Sequence, residues 1–208
     1  DWADFKDNVQ GVYIDISDRF FDTPIVPGSA TPLIRFDIVE GISGSHQSDV
    51  LNGNDVGPAD LPTEGATGSV MNQAGINLIS GIQQLLNSAL GAPQTFFDGG
   101  NIILGGEGSD LIMGRGGNDI IDGDKWLNVR IGVFGNYNAV TGVASGPEIA
   151  SYDTMTDLDL QANMLNGTWN PGQLRIIREL LPSASAATDF DTAIFRGDLA
   201  EYTFAVNG

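Results

Sequence analysis

A nine-residue period near the middle of the chain constrains its fold more than any other feature of the sequence. Gly105–Met113 is followed without a gap by Gly114–Asp122, and both segments have Gly in the first and fourth places, Asp in the sixth and Ile in the eighth. Weaker copies lie at residues 96–104 and 44–52, where the eighth places are Ile103 and Leu51. Such a short period is typical of a chain that coils in small, stacked units.

The repeat has a direct physical interpretation. Gly accepts positive φ and leaves room around the backbone, so the first six places predict a tight turn. The last three places predict a short strand whose middle side chain, in the eighth place, points inward. Successive turns then fall on opposite edges, and every second turn stacks on the same edge. Stacked carbonyls and sixth-place carboxylates can enclose an ion, and oxygen ligands at about 2.3–2.6 Å suit Ca²⁺.

In this pattern the chain resembles the GGxGxDxUx nonapeptides of RTX, or haemolysin-type, calcium-binding proteins. The resemblance is strong over about thirty residues and implies a parallel β-roll that binds Ca²⁺. The copies depart from the motif: Arg115 replaces a second-place Gly, Asn101 a sixth-place Asp and Gln47 a fourth-place Gly, and the copy that starts at Phe96 lacks the leading Gly pair. We therefore expect a short roll with two or three ion sites.

The sixth-place residues Asp110 and Asp119 are the leading candidates for metal ligands. By resemblance, backbone oxygens of the same turns complete the sites, and they belong to Gly105, Glu107, Gly108, Gly114, Gly116 and Gly117. Asn101 can supply a neutral oxygen. For four further acids two interpretations stay open: each is a metal ligand or a simple turn residue. This group is Asp49, Asp98, Asp122 and Asp124.

The segments that flank the repeat also resemble this family. Residues 38–45 are similar to the lead-in of an RTX roll, and residues 191–197 with 202–204 resemble the strand pair that follows one. Residues 120–131 and 170–176 are similar to RTX regions carried by bacterial haem peroxidases of the animal type. These matches are weaker than the repeat itself.

The remaining sequence predicts a mainly β fold with helical additions. We expect strands at residues 12–16, 33–39 and 127–133, and helices at 70–90, 156–165 and 171–181. The predicted organisation is a short parallel β-roll, interrupted by a partly helical insertion and followed by an α/β C-terminal segment. Its parts are N-terminal strands and first roll turns (1–53), the insertion (54–95), the roll (96–125), and strands with a helical hairpin packed on the roll (126–208).

The composition limits which partners the chain can bind and which kinds of catalytic or metal site it can form. The chain of 208 residues carries 27 acidic residues against 9 Lys and Arg, for a net charge of −18. Phosphate neutralisation needs clustered basic residues, so nucleic acid is not an expected partner, and a hard cation is. Cys is absent and His46 is the single His, so thiolate or His-rich zinc sites, a Ser-His-Asp triad and His-ligated haem are poorly supported.

No segment of the sequence resembles a signal peptide or a membrane span, which needs about 20 apolar residues. The chain opens without Met and ends in a turn signal at residues 206–208, so we expect a piece of a longer polypeptide. The RTX resemblance implies a calcium-binding structural module of a secreted bacterial protein, exported by a type I system and folded by Ca²⁺ outside the cell. The alternatives are a Ca²⁺-dependent adhesion or ligand-binding module, or an accessory domain of a secreted haem peroxidase. We do not expect the chain itself to be an enzyme.

Overall fold

The computed structural model describes residues 1–21, 23–30, 33–37, 39–60, 70–91 and 93–205. Short strands dominate, which confirms the prediction of a mainly β fold. The N-terminal strands are β1 (Trp2–Asp4), β2 (Tyr13–Asp15), β3 (Thr23–Pro24), β4 (Leu33–Ile34), β5 (Gly41–Ser43) and β6 (Val50–Asn52). The strand expected over 33–39 is therefore wrong in extent: it is confined to β4, and residues 35–37 do not continue it, while residue 38 lies outside the described residues.

The next part of the chain contains two helices between two short strands, and the repeat follows. Its elements are β7 (Met71–Asn72), α1 (Gln73–Ile76), α2 (Ile82–Leu90), β8 (Phe96–Phe97), β9 (Ile102–Leu104), β10 (Leu111–Met113) and β11 (Ile120–Asp122). The helical character predicted for this insertion is confirmed, and α2 ends at Gly91 as expected.

A single helix over 70–90 was the wrong prediction, because the chain breaks between α1 and α2. Gly81 adopts a left-handed conformation with φ of 90°. The backbone of Ser80 bonds outside the helix: its N–H donates to the Arg178 carbonyl at 2.9 Å, and its carbonyl accepts from the Leu180 N–H at 2.8 Å. The apolar spacing was correct, but these long-range bonds replace the helical ones.

Two parallel sheets of four strands each are formed by strands of the repeat, of the N-terminal segment and of the C-terminal segment, whereas β3 pairs with β4 and β7 pairs with β8 in separate antiparallel pairs. The first sheet has the order β1-β5-β9-β11, and the second is completed by β15 (Thr192–Ala193) in the order β15-β10-β6-β2. Strands that follow one another along the repeat belong to opposite sheets, so that β9 pairs with β11 and β10 pairs with β6. Each sheet therefore gains one strand with every second repeat unit.

The eighth-place side chains pack between these two sheets. Leu51, Ile103 and Ile112 are at most 1% exposed, and Ile121 packs against them while partly buried. Burial of one such aliphatic side chain is worth about 1.5–3 kcal/mol. This core fixes the register of the strands, because a slip of one residue would turn every eighth-place side chain outward.

A second core lies on the outer face of the first sheet. Ile102 and Leu104 flank Ile103 in β9, point away from the first core and pack against Ile82 and Leu86 of α2. The strand β9 is thus buried on both faces, which explains its unbroken apolar sequence. The insertion covers a sheet face that would otherwise be exposed.

The C-terminal part contains an antiparallel sheet in the order β13-β12-β14. Its elements are β12 (Lys125–Tyr137), β13 (Ala144–Tyr152), α3 (Leu158–Leu165), a 3₁₀ turn (Pro171–Gln173) and β14 (Leu174–Pro182). The predicted strand 127–133 is confirmed within β12, and the predicted helix 156–165 is confirmed as α3, which begins two residues later than expected. Leu160 of α3 is fully buried against Val133 of β12.

The predicted helix over 171–181, and with it the helical hairpin, is wrong. Residues 174–182 pair with β12 from Lys125 opposite Pro182 to Val133 opposite Leu174. The apolar doublets of this segment fit helical spacing and strand alternation equally, and pairing with a long neighbouring strand decides between them.

The chain then returns to the second parallel sheet as β15, which pairs with β10. The second strand of the predicted trailing pair, at 202–204, is not formed: this segment follows a 3₁₀ turn (Leu199–Glu201) as irregular chain. No helix in the described part of the chain combines the length and apolar composition that a bilayer crossing requires.

Candidate metal centre

One edge of the paired sheets carries a ladder of aspartates, which we call the acidic edge and define by the turns of Asp49, Asp110 and Asp191; the first two are buried and Asp191 is half-buried. Asp49 Oδ1 accepts the Val12 N–H at 2.7 Å. Asp110 Oδ1 accepts the Asp49 N–H at 2.8 Å, and Asp191 Oδ1 accepts the Asp110 N–H at 2.9 Å. Each carboxylate therefore holds the backbone of the neighbouring turn in the stack.

The opposite edge has a similar ladder of hydrogen bonds, but its turns also contact arginine side chains. We call it the arginine edge and define it by the turns of Asn101 and Asp119. Asp119 Oδ1 accepts the Asn101 N–H at 2.8 Å, and Asn101 Oδ1 accepts the Asn54 N–H at 2.8 Å. Burial raises the pKa of Asp119, and the charge of Arg196 lowers it in part.

Two ion pairs stabilise the turns of the arginine edge. Arg115 binds Asp15, and Arg196 binds Asp55. Arg115 is the residue that departs from the glycine of the motif, and it holds a left-handed φ of 75°. Asp110 and Asp119 occupy equivalent places in the sequence, but in the structure the charge of Arg196 acts on Asp119, whereas the charges that act on Asp110 are those of other aspartates.

Asp110 is the most unusual carboxylate of the acidic edge. It is 2% exposed, and its Oδ2 is buried without a hydrogen-bond partner. Burial, with the neighbouring charges of Asp49, Asp191 and Asp189, raises the pKa of Asp110 to about 8. A buried carboxylate without a partner costs several kcal/mol unless a proton or a cation neutralises it.

First-place glycines leave the space around the second oxygens of Asp110 and Asp49, of which Asp49 Oδ2 also accepts the Ser45 N–H at 2.6 Å. A Cβ on Gly105 would collide with Asp110 Oδ2 and with the carbonyl oxygen of Gly123. A Cβ on Gly44 would collide with Asp49 Oδ2 and with the carbonyl oxygen of Gly105. Carboxylate and carbonyl oxygens from stacked turns thus converge at positions that no side chain fills, which is the donor set that Ca²⁺ prefers.

The remaining candidate residues of the two central repeats lie in the first, third and fourth places and shape the turns. Gly108 and Gly117 have φ of 104° and 99°, a region that favours Gly. A Cβ on Gly114 would collide with Asp119 Oδ2, and one on Gly116 would lie 2.8 Å from Asp55 Oδ1. The Glu107 carboxylate lies 3.7 Å from His46 Nδ1.

The structure places the four remaining candidate acids in different surroundings. Asp49 belongs to the acidic edge and is 2% exposed. Asp122 pairs with Lys125 and accepts the Asp124 N–H at 3.2 Å, as a turn residue does. Asp98 lines a small cavity with Asp1, Trp2 and Asn101, and it joins neither ladder. Asp124 lies at the end of the acidic edge, where its carboxylate meets two others.

Those two acids, Asp189 and Asp191, were missed as ligands by the sequence. Carboxylate oxygens of Asp124, Asp189 and Asp191 lie within 4.8 Å of one another. A signal existed for Asp191, because Asp191–Ile194 repeats the sixth to ninth places of the motif. Asp189 carried none, since its position depends on where the chain returns after β14.

Comparison with known proteins adds no assignment: no protein-family model, no curated protein and no solved structure matches the chain.

Proposed function

We propose that the chain is a calcium-binding structural module whose two parallel sheets form a short RTX-type β-roll. The proposal depends on one observation: the Oδ2 of Asp110 is a buried carboxylate oxygen that has no hydrogen-bond partner. It lies next to Gly105, where the absence of a side chain leaves space. The alternation of repeat strands between the two sheets, with eighth-place side chains inside, supports the roll.

Calcium would then contribute directly to the free energy of folding. Without a cation, the acidic edge concentrates negative charge in a chain whose net charge is already −18. Extracellular calcium modules bind at roughly 10⁻⁴ to 10⁻³ M. A free Ca²⁺ concentration tenfold above the dissociation constant adds about 1.4 kcal/mol of stability per site.

A free energy of folding that depends on Ca²⁺ supports a secreted location for the chain. A module that folds at millimolar Ca²⁺ stays unfolded where Ca²⁺ is scarce, which suits export by a type I system as part of a larger bacterial polypeptide. In this proposal the chain has a structural role and no catalytic one, and any enzymatic activity, such as that of a haem peroxidase, belongs to another part of that polypeptide.

The test is a Ca²⁺ titration of the EDTA-treated chain, followed by far-UV circular dichroism and thermal unfolding. We expect Ca²⁺ to raise the melting temperature of the wild-type chain and to raise that of Asp110→Asn far less. The Asn variant keeps the Oδ1 acceptor for the Asp49 N–H, so in EDTA it should be no less stable than the wild type.

Asp159→Asn is the matched control, because it removes one negative charge from an exposed position in the first turn of α3. It should respond to Ca²⁺ as the wild type does. A wild-type chain that is indifferent to both EDTA and Ca²⁺ would end the proposal.

A further inference from the structure

The last turn of the acidic edge is built from two segments that are far apart in the sequence. Gly123 and Asp124 begin it, and the chain then leaves to form β12, β13, α3 and β14. It returns after Pro182: the Ser183 N–H donates to the Asp124 carbonyl at 2.6 Å, and the Thr192 N–H donates to the Asp110 carbonyl at 2.8 Å. The turn closes only when both segments are in place.

The returning segment occupies the places of the repeat that the departing segment does not supply. Asp191 takes the sixth place, opposite Asp110. Asp189 lies two residues earlier, opposite Gly108, whose N–H is 3.2 Å from Asp189 Oδ2. A Cβ on Gly123 would collide with Asp191 Oδ2, so the first place and the sixth place meet here as they do within a continuous repeat.

Three carboxylates come together in this composite turn. Their oxygens lie within 4.8 Å of one another, and no ion pair reaches Asp124, Asp189 or Asp191 in the described part of the chain. Burial and the charges of Asp191 and Asp189 raise the pKa of Asp124. Such a group of acids repels itself, and alone it would not define a site.

The free oxygen of Asp110 supplies an independent indication of a ligand. Asp110 Oδ2 is buried, has no partner, and lies against Gly105 together with the Gly123 carbonyl oxygen. Gly123 is in turn the residue against which Asp191 Oδ2 lies. The unpartnered oxygen, the carbonyl and the acidic group therefore share one end of the acidic edge.

We infer that Asp110, Asp124, Asp189 and Asp191 hold one Ca²⁺ that clasps both ends of the 125–182 excursion. The inference rests on the proposed function and adds to it that one site is formed by the return of the chain. The carboxylates of Asp124, Asp189 and Asp191 lie within 4.8 Å of one another, and the Asp110 Oδ2 and the Gly123 carbonyl oxygen lie at the adjoining turn. All of these donors are oxygens, and Ca²⁺ accepts six to eight such ligands in irregular arrangements. Binding of the ion and docking of residues 183–194 are then one event.

The experiment uses the full chain and measures two quantities with and without Ca²⁺. Calorimetric titration gives the number of bound ions, and hydrogen exchange gives the protection of residues 183–194. In the wild type, Ca²⁺ should slow exchange in this segment at least about tenfold. Asp124→Asn and Asp189→Asn should each weaken one site at least about tenfold and remove that protection, because affinity follows the ligand charge count.

The two variants change different segments, so a folding defect in one leaves the other informative. Asp98→Asn is the matched control, since Asp98 is a half-buried acid outside both ladders. If both variants bind as many ions as the wild type and keep the protection of 183–194, the clasp is wrong and the proposed function stands. If the wild type itself binds no Ca²⁺, both the clasp and the proposed function are wrong.

Discussion

At the scale of single residues, the two edges differ in whether a cationic side chain pairs with their aspartates. On the arginine edge, Arg115 replaces the motif glycine and pairs with Asp15 across the stack. On the acidic edge, Asp110 keeps an oxygen without a partner. The sequence shows both aspartates in equivalent places, because a nine-residue period does not show which side chains of stacked turns will face each other.

Arg115 combines a favourable ion pair with an unfavourable backbone conformation. Its φ of 75° is accessible to Gly at little cost, whereas other residues lose about 1 kcal/mol there. Arg115→Ala and Arg115→Gly both remove the ion pair, but only the Gly variant relieves the backbone. We expect the Gly variant to be more stable by about 1 kcal/mol in urea unfolding. Equal stabilities would contradict the backbone argument.

Asp4 gives the chain a pH dependence separate from the acidic edge. Burial raises the pKa of Asp4 to about 6 from its ordinary value of 3.8, although the N–H and charge of Lys6 oppose this. Between these two values the folded chain retains a proton that the unfolded chain has released. The free energy of unfolding therefore falls as pH rises through this window.

Asp4→Asn isolates this contribution, because Asn does not titrate and can keep the acceptor for the Lys6 N–H. In EDTA, the stability of the wild type relative to Asp4→Asn should decrease from pH 4 to pH 6 and then level off. Urea unfolding at several pH values measures the difference. Parallel curves for the two chains would show that Asp4 titrates normally in the fold.

At the scale of elements, predictions succeeded where the pattern was local and failed where distant pairing decided. The eighth-place aliphatics mark β6, β9, β10 and β11 because each strand is only three residues long and its inward position is fixed by the turn. By contrast, β14 looks helical until it is placed beside β12. The return of β15 to β10 crosses a gap that contains no repeat, so no period could predict it.

The strand β9 should be the most sensitive element to loss of side-chain volume. Ile103 is fully buried between the two parallel sheets, so Ile103→Ala should lower the free energy of unfolding by about 2–5 kcal/mol. Leu111→Ala is the control in β10, where the side chain is 38% exposed, and its cost should be clearly smaller. Chemical unfolding in Ca²⁺ measures both, and equal losses would contradict the inward orientation of the eighth place.

At the scale of the whole molecule, the net charge of −18 opposes folding and the small, layered cores favour it. Apolar burial between short strands supplies part of the stability, and in the proposed function the charge of the acidic edge opposes folding until a cation binds. Composition predicts a hard cation as partner, and the repeat predicts the turns that would hold it. The composite turn at Asp124, Asp189 and Asp191 required the three-dimensional path of the chain.

The free energy of unfolding as a function of free Ca²⁺ tests the central claim most directly. Urea unfolding of the wild-type chain at buffered Ca²⁺ concentrations from micromolar to millimolar gives this dependence. Once the sites begin to fill, stability should rise by about 1.4 kcal/mol per tenfold increase in Ca²⁺ for each bound ion. A free energy of unfolding that stays constant over this range would contradict calcium binding at Asp110 and with it the whole account.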